Sequence, residues 1–85
     1  MAKRWREADG IHLDLTGLEP PAPMLAVIEE ISGSDEPLFL HINREPIFLY
    51  PELEELGWTW IARKVQNPSP GEAAFVIQLK KAVTN

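Results

Sequence analysis

A two-layer α/β sandwich is the fold this sequence predicts, with element order β-α-β-α-β-β, a four-stranded mixed sheet and both helices on one face. Three observations predict it. Two apolar alternations, Ile11-Leu13-Leu15 and Leu38-Leu40-Ile42, are each followed by a segment that opens on proline and reads as a helix. Two further strand-like runs, "WTWIARKVQ" and "AAFVIQLKKA", flank the loop signal "NPSPGE" near the end of the chain. The length of 85 residues suits a single domain with a core of modest size.

The elements follow in order. Ile11, Leu13 and Leu15 alternate with His12, Asp14 and Thr16, the period of a half-buried strand, and Gly17 ends it. "PPAPMLAVIEEISG" then starts a helix near Pro21, because proline is tolerated only where the first amides have no helical partners. Met24, Leu25, Ile28 and Ile31 form its apolar stripe, it stops near Ser32, and Gly33 is placed to cap it. The second strand, within "SDEPLFLHIN", carries Phe39, His41 and Asn43 on the face opposite its leucines. In "REPIFLYPELEELG", Pro51 separates a short turn from the helical piece "PELEELG". The first three strands are expected parallel, since each helix returns the chain across the sheet. The C-terminal hairpin adds one antiparallel strand. Phe75, Ile77 and Leu79 face inward on it, whereas the faces of Trp58 and Trp60 stay open, because Ile61 and Val65 have the opposite parity.

Composition removes several kinds of chemistry. The chain has no cysteine, so it has no disulfide, thiolate nucleophile, persulfide carrier or thiolate metal site. A net charge of −5 argues against nucleic acid as a partner. Arg4-Trp5-Arg6 has the residue types that touch RNA or an acidic surface, but a solvated terminus is the simpler reading. Residues 1–9 are therefore expected as a flexible arm, and residues 10–85 as one domain. The first ten residues lack the apolar core of a signal peptide, and no run is long enough to span a bilayer. A cytoplasmic location is the expectation.

Three groups of residues are candidates for a site. The first lies outside the carboxyl ends of the parallel strands, where open α/β sheets bind ligands. It comprises Gly17, Leu18, Glu19, Pro20 and Pro21 with Arg44, Glu45 and Tyr50. A helix start and Arg44 suit a small anion or an acidic partner, although prolines donate no N–H. The structural alternative is that Arg44 pairs with Glu19 or Glu45 and ties two loops. The second group is His12, Asp14 and His41, which share the helix-free face if their strands are neighbours. Imidazoles and a carboxylate are metal ligands, but polar residues on an open face need no such role, so no metal or cofactor is expected. The third is aromatic: Phe39, Tyr50, Trp58 and Trp60 divide between core and interface, and an open face or edge strand offers a route to a homodimer. The run "ELEEL" is the wet face of a helix, and Ser32 and Ser34 lack a histidine partner. No enzyme activity is expected.

The stretch "LDLTGLEPPAP" resembles the motif of the TusA/SirA-like sulfur-carrier proteins, Leu-Asp-x-x-Gly-Leu-x-Cys-Pro-x-Pro. Leu13, Asp14, Gly17, Leu18, Pro21 and Pro23 match, and Pro20 stands where that group carries its cysteine. The segment "NREPIFLYPELEELGWTW" is similar to a neighbouring branch, the DUF2249 family, in which a proline-rich first turn and an "EP..LYPELEE-G" pattern recur. The resemblance covers Gly10 to Lys81 and implies the β-α-β-α-β-β fold, without an established activity. Without the cysteine, direct sulfur transfer by this chain is not expected. The expected function is a small binding or accessory module that recognises a protein partner or an anionic ligand. The alternative implied by the resemblance is an accessory component of a sulfur, redox or nitrogen-oxide system acting with a partner enzyme.

Overall fold

The structure, a computed structural model, describes residues 3–82. Its elements are β1 (Lys3–Glu7), β2 (Gly10–Asp14), α1 (Ala22–Gly33), β3 (Leu38–Ile42), α2 (Tyr50–Glu55), β4 (Trp58–Lys64) and β5 (Phe75–Lys81). They form a five-stranded sheet in the order β1-β2-β3-β5-β4, with the two helices packed on one face. No helix is long and apolar enough to cross a membrane among the described residues.

The four-stranded expectation is corrected to five strands by β1, which comes from residues expected to form a flexible arm. It pairs antiparallel with β2, from Lys3 opposite Asp14 to Glu7 opposite Gly10. Arg4 and Arg6 point to the helix side and bind Glu30 and Glu36, the first at 2.8 Å. These arginines are engaged within the chain, while Trp5 turns to the other face. Residues 1 and 2 of the expected arm, and 83–85 of the expected domain, lie outside the described residues.

Strand order, not strand direction, departs from a set of three adjacent parallel strands. β2 and β3 are hydrogen-bonded parallel neighbours, and β4 runs in the same direction, but it does not join them. β5 lies between β3 and β4, antiparallel to both. A hairpin strand can return beside its predecessor from either side. Here the loop from residue 65 to 74 is long enough to let β5 take the central place, where its apolar residues are covered on both sides.

The core follows the alternation. Ile11, Leu13, Leu38, Leu40, Ile42, Ile77, Leu79 and Trp58 project to the helices and meet Val27 and Ile31 of α1 and Leu53 of α2. Each such side chain removed from water contributes about 1.5–3 kcal/mol before the entropy of ordering it is counted. In α1 the buried line is Val27–Ile31, one turn apart, rather than one led by Leu25, which is exposed. Leu25 sits about 200° round the helix from Val27. Gly33 is the last helical residue and Ser34 the cap, so no left-handed glycine closes α1. Gly57 does close the α2 turn, with φ +82°. Trp58 and Trp60 both belong to the helix side, the first buried and the second half-buried.

Gly10 is a stronger backbone requirement. Its φ of +142° lies in a region essentially reserved for glycine, and Ile11 N–H donates to Pro37 O at 3.0 Å beside it. A methyl group on Gly10 would collide with that same Pro37 carbonyl, whereas one on Gly33 meets nothing within 4 Å. Gly10→Ala is expected to cost at least about 1–3 kcal/mol of unfolding free energy in urea titrations. Gly33→Ala is expected to be neutral or to raise stability by up to about 1 kcal/mol. Equal midpoints for the two variants would contradict this placement of the β2 start.

Candidate functional site

The carboxyl ends of β2 and β3 bring the two predicted turns together. Leu15 N–H donates to His41 O at 2.8 Å, carrying the chain past the end of β2. Asp14 then accepts from the Thr16 backbone N–H at 3.0 Å and from its hydroxyl at 2.6 Å, which shapes the turn. Gly17, at φ +80°, donates its N–H to Asn43 Oδ1 at 3.1 Å. Asn43 Nδ2 in turn donates to Glu72 O at 3.3 Å in the β4–β5 loop. Asn43 therefore joins three loops; sequence reasoning placed it at the end of the second strand and in the turn Asn43-Arg44-Glu45-Pro46 at this edge, but did not foresee the bonds it makes there.

The helix start offers little to an anion. Ala22 N–H is taken by Glu19 O at 2.9 Å and Leu25 N–H by Pro21 O at 3.1 Å. Pro23 has no N–H, which leaves Met24 as the one first-turn amide without a protein acceptor among the described residues. Pro20 and Pro21, joined by a cis bond, and Leu18 supply shape rather than donors.

The loop from Asn43 to Leu49 is different. Ile47 N–H donates to Glu45 O and Leu49 N–H to Pro46 O, both at 2.9 Å, so the backbone turns twice in seven residues. Leu49 is buried in the core, and Tyr50 O–H donates to Glu45 Oε2 at 3.0 Å. Tyr50 stacks on Trp60 with ring centroids 4.8 Å apart. Between these anchors Ile47 is 56 % exposed and Phe48 84 % exposed. Arg44 is exposed and makes no ion pair among the described residues. The alternative in which Arg44 ties two loops through Glu19 or Glu45 is not seen among the described residues: Glu45 is held by Tyr50, and the turn around Glu19 by its backbone. Sequence reasoning did not single out Ile47 and Phe48, which lie in the run read as a short turn before the helical piece.

The opposite face of the sheet holds the second candidate. His12 is only 6 % exposed although it points away from the helices, because Trp5, Phe39 and His41 stack around it. His12 Nδ1 lies 2.9 Å from His41 Nε2, so one imidazole donates to the other. His12 Nε2 faces Asp9 Oδ1 at 2.8 Å and Glu7 Oε2 at 3.4 Å, and Trp5 Nε1 donates to Glu7 at 2.7 Å. Burial, and then the neighbouring His12, lower the pKa of His41 despite the opposing field of Asp14, Glu7 and Asp9. Asp14, the third member of the predicted set, is turned to Thr16, whose hydroxyl contact lowers its pKa. Asp9 stands at His12 in its place. Among the described residues no group of three or more His, Asp or Glu side chains is arranged to hold a metal ion. Of the predicted aromatic set, Phe39 lies on this face, while Tyr50, Trp58 and Trp60 lie on the helix side.

Tyr50 gives a direct test of the loop anchor. Burial, followed by its contact with Glu45, pushes its phenol up to about 12. A folded-state value above the unfolded one means the native state holds its proton longer. The associated stability is complete below pH ~10 and is lost as pH rises through the folded value. Tyr50 is the only tyrosine, so phenolate absorbance in an alkaline titration reports this residue alone. The midpoint is expected well above 10, moving down when Glu45→Gln removes the carboxylate. A midpoint near 10 in the folded protein would contradict the anchor.

No curated protein and no solved structure matches the chain. The family model described as "Uncharacterized conserved protein (DUF2249)" matches residues 12–80. That span runs from His12 of β2 to Lys80 of β5 and includes both turns of the carboxyl-end edge. The chain belongs to the DUF2249 family of uncharacterised conserved proteins.

Proposed function

We propose that this chain is a non-catalytic, cytoplasmic binding module that docks a partner protein through the loop from Asn43 to Leu49. One observation carries the reading: Phe48, 84 % exposed, stands on a loop fixed at both ends. Exposed aromatic and arginine side chains on an ordered backbone are the groups that dominate protein interfaces. The backbone here is already held by Asn43, Leu49 and the Tyr50–Glu45 contact, so docking orders few additional groups. Arg44 beside Phe48 and Ile47 suits an apolar cleft rimmed by a carboxylate.

This reading takes precedence over a small-anion site because the prolines and turn bonds leave the α1 start almost without free donors. It also fits the TusA/SirA-like grouping that the Leu13–Pro23 motif suggests, with Pro20 at the cysteine position. A chain without a thiol has no atom to carry a persulfide, so a role in a sulfur, redox or nitrogen-oxide system would be that of an accessory to a partner enzyme.

The test starts from the partner retained by the wild-type chain, identified by mass spectrometry and then titrated in purified form. Phe48→Ser is expected to weaken the complex by about 2 kcal/mol or more. Arg44→Ala is expected to weaken it by about 1.5–3 kcal/mol if a charge-assisted hydrogen bond is lost. Both variants should melt with the wild type, since both side chains are exposed. Unchanged affinities would remove the loop as the docking surface.

A further inference from the structure

We propose that the helix-free face of the sheet, separate from the docking loop, joins two copies of this chain into a dimer whose two-fold axis runs along β3. The strand register draws one row straight across that face: Trp5, His12, Phe39, Gln78 and Ile61, one from each strand and none of them a lysine, an arginine or a carboxylate. Ile61 is 56 % exposed and Trp5 37 %, while Phe39, and Val76 in the next row, are half-buried. An apolar band on a face that neither helix covers marks an interaction surface. Trp5 is already in place for docking, since its indole donates to Glu7 Oε2 at 2.7 Å and its ring centroid lies 5.3 Å from both imidazoles. Holding it costs little further rotamer entropy.

A second copy is the occupant this face fits, because its two halves complement each other. β1, β2 and the turn between them bring Glu7, Asp9 and Asp14 to it against one lysine, Lys3, whereas β5 and β4 bring Lys80 and Arg63 and no carboxylate. β3 is the middle strand, so a two-fold axis along it lays the acidic half of one copy on the basic half of the other. That axis sets Phe39 against its own counterpart, Trp5 on Ile61, and Glu7 and Asp9 near Lys80 of the second copy. An axis across the strands gives the other aligned packing of two sheets, and it stacks each half on its own kind. The one like-charged approach, Lys3 toward Arg63, has Asp14 beside it, opposite Lys3 in the β1–β2 pair. Five strands about 4.8 Å apart and about 20 Å long cover on the order of 1,000 Å² when both copies are counted, the lower end of specific interfaces and suited to a reversible dimer.

The tag-free chain is followed by sedimentation velocity across the micromolar range, with native mass spectrometry giving the stoichiometry. A reversible monomer–dimer equilibrium is expected. Ile61→Asp should raise the dimer dissociation constant about tenfold or more, with far-ultraviolet circular dichroism showing the fold intact. Glu7→Lys and Lys80→Glu should each weaken self-association when alone. An equal mixture of those two variants should recover a heterodimer, because each contact then joins a lysine to a glutamate. That rescue requires the axis along β3, since the crossed axis never brings residues 7 and 80 together. A wild-type chain that stays monomeric, a dimer untouched by Ile61→Asp, or a mixture no more associated than its components would overturn the proposal. So would a different protein retained on this face and lost with Ile61→Asp while the purified chain alone stays monomeric. Phe48→Ser should leave the dimer intact, so this result and that of the docking loop are read independently.

Discussion

The alternation of the five residues of β3 is the constraint on which the rest of the molecule depends. Leu38, Leu40 and Ile42 point to the helices and complete the core between Ile11 and Leu13 on one side and Ile77 and Leu79 on the other. Phe39 and His41 point the other way and meet His12. A one-residue slip would exchange these sets, bringing imidazole into the apolar layer and leucine into water. Because β3 is hydrogen-bonded on both edges, its register also fixes where the carboxyl ends of the sheet come to lie. The position of Asn43, and so of the three loops it joins, follows from that register.

Much of this was legible because periodicity reports burial. The helices open at proline and end close to the expected residues, and the period-2 runs became β2, β3, β4 and β5. What stayed hidden depends on contacts between distant segments. Lys3–Glu7 has five exposed residues and no apolar alternation, so nothing local marks it as a strand. It becomes one through the free edge of β2 and through Glu30 and Glu36, which sit more than twenty residues away in sequence. The place of β5 between β3 and β4 is likewise a choice of topology that leaves the strand pattern unchanged.

The candidate sites show the same division. The approach of the Gly17 turn to Asn43 was foreseeable from strand direction alone, and so was a shared face for His12 and His41. The partner of each side chain was not. One reading of Arg44 gave it a carboxylate of its own chain, but Glu45 is taken by a tyrosine five residues later. Asp14 was expected beside the histidines, and a local turn bond claims it instead, leaving that place to Asp9. Short-range hydrogen bonds form at small entropic cost, so they take polar groups that a face-by-face reading assigns to longer contacts.

The two rims of the sheet have a consequence for how the molecule behaves in concentrated solution. The outer edges are β1, with Lys3, Arg4 and Arg6, and β4, which ends in Arg63 and Lys64. Unpaired strand edges are templates for fibril growth, and cationic side chains along them oppose it by repulsion and by the work of stripping their hydration. At β1 the charges of Arg4 and Arg6 are already met by Glu30 and Glu36, so the repulsion of rim by rim falls to Lys3, Arg63 and Lys64, in a protein whose overall charge is negative. Added salt screens that repulsion within about 10 Å at 0.1 M, so colloidal stability is expected to decline as ionic strength rises, even while the fold itself holds.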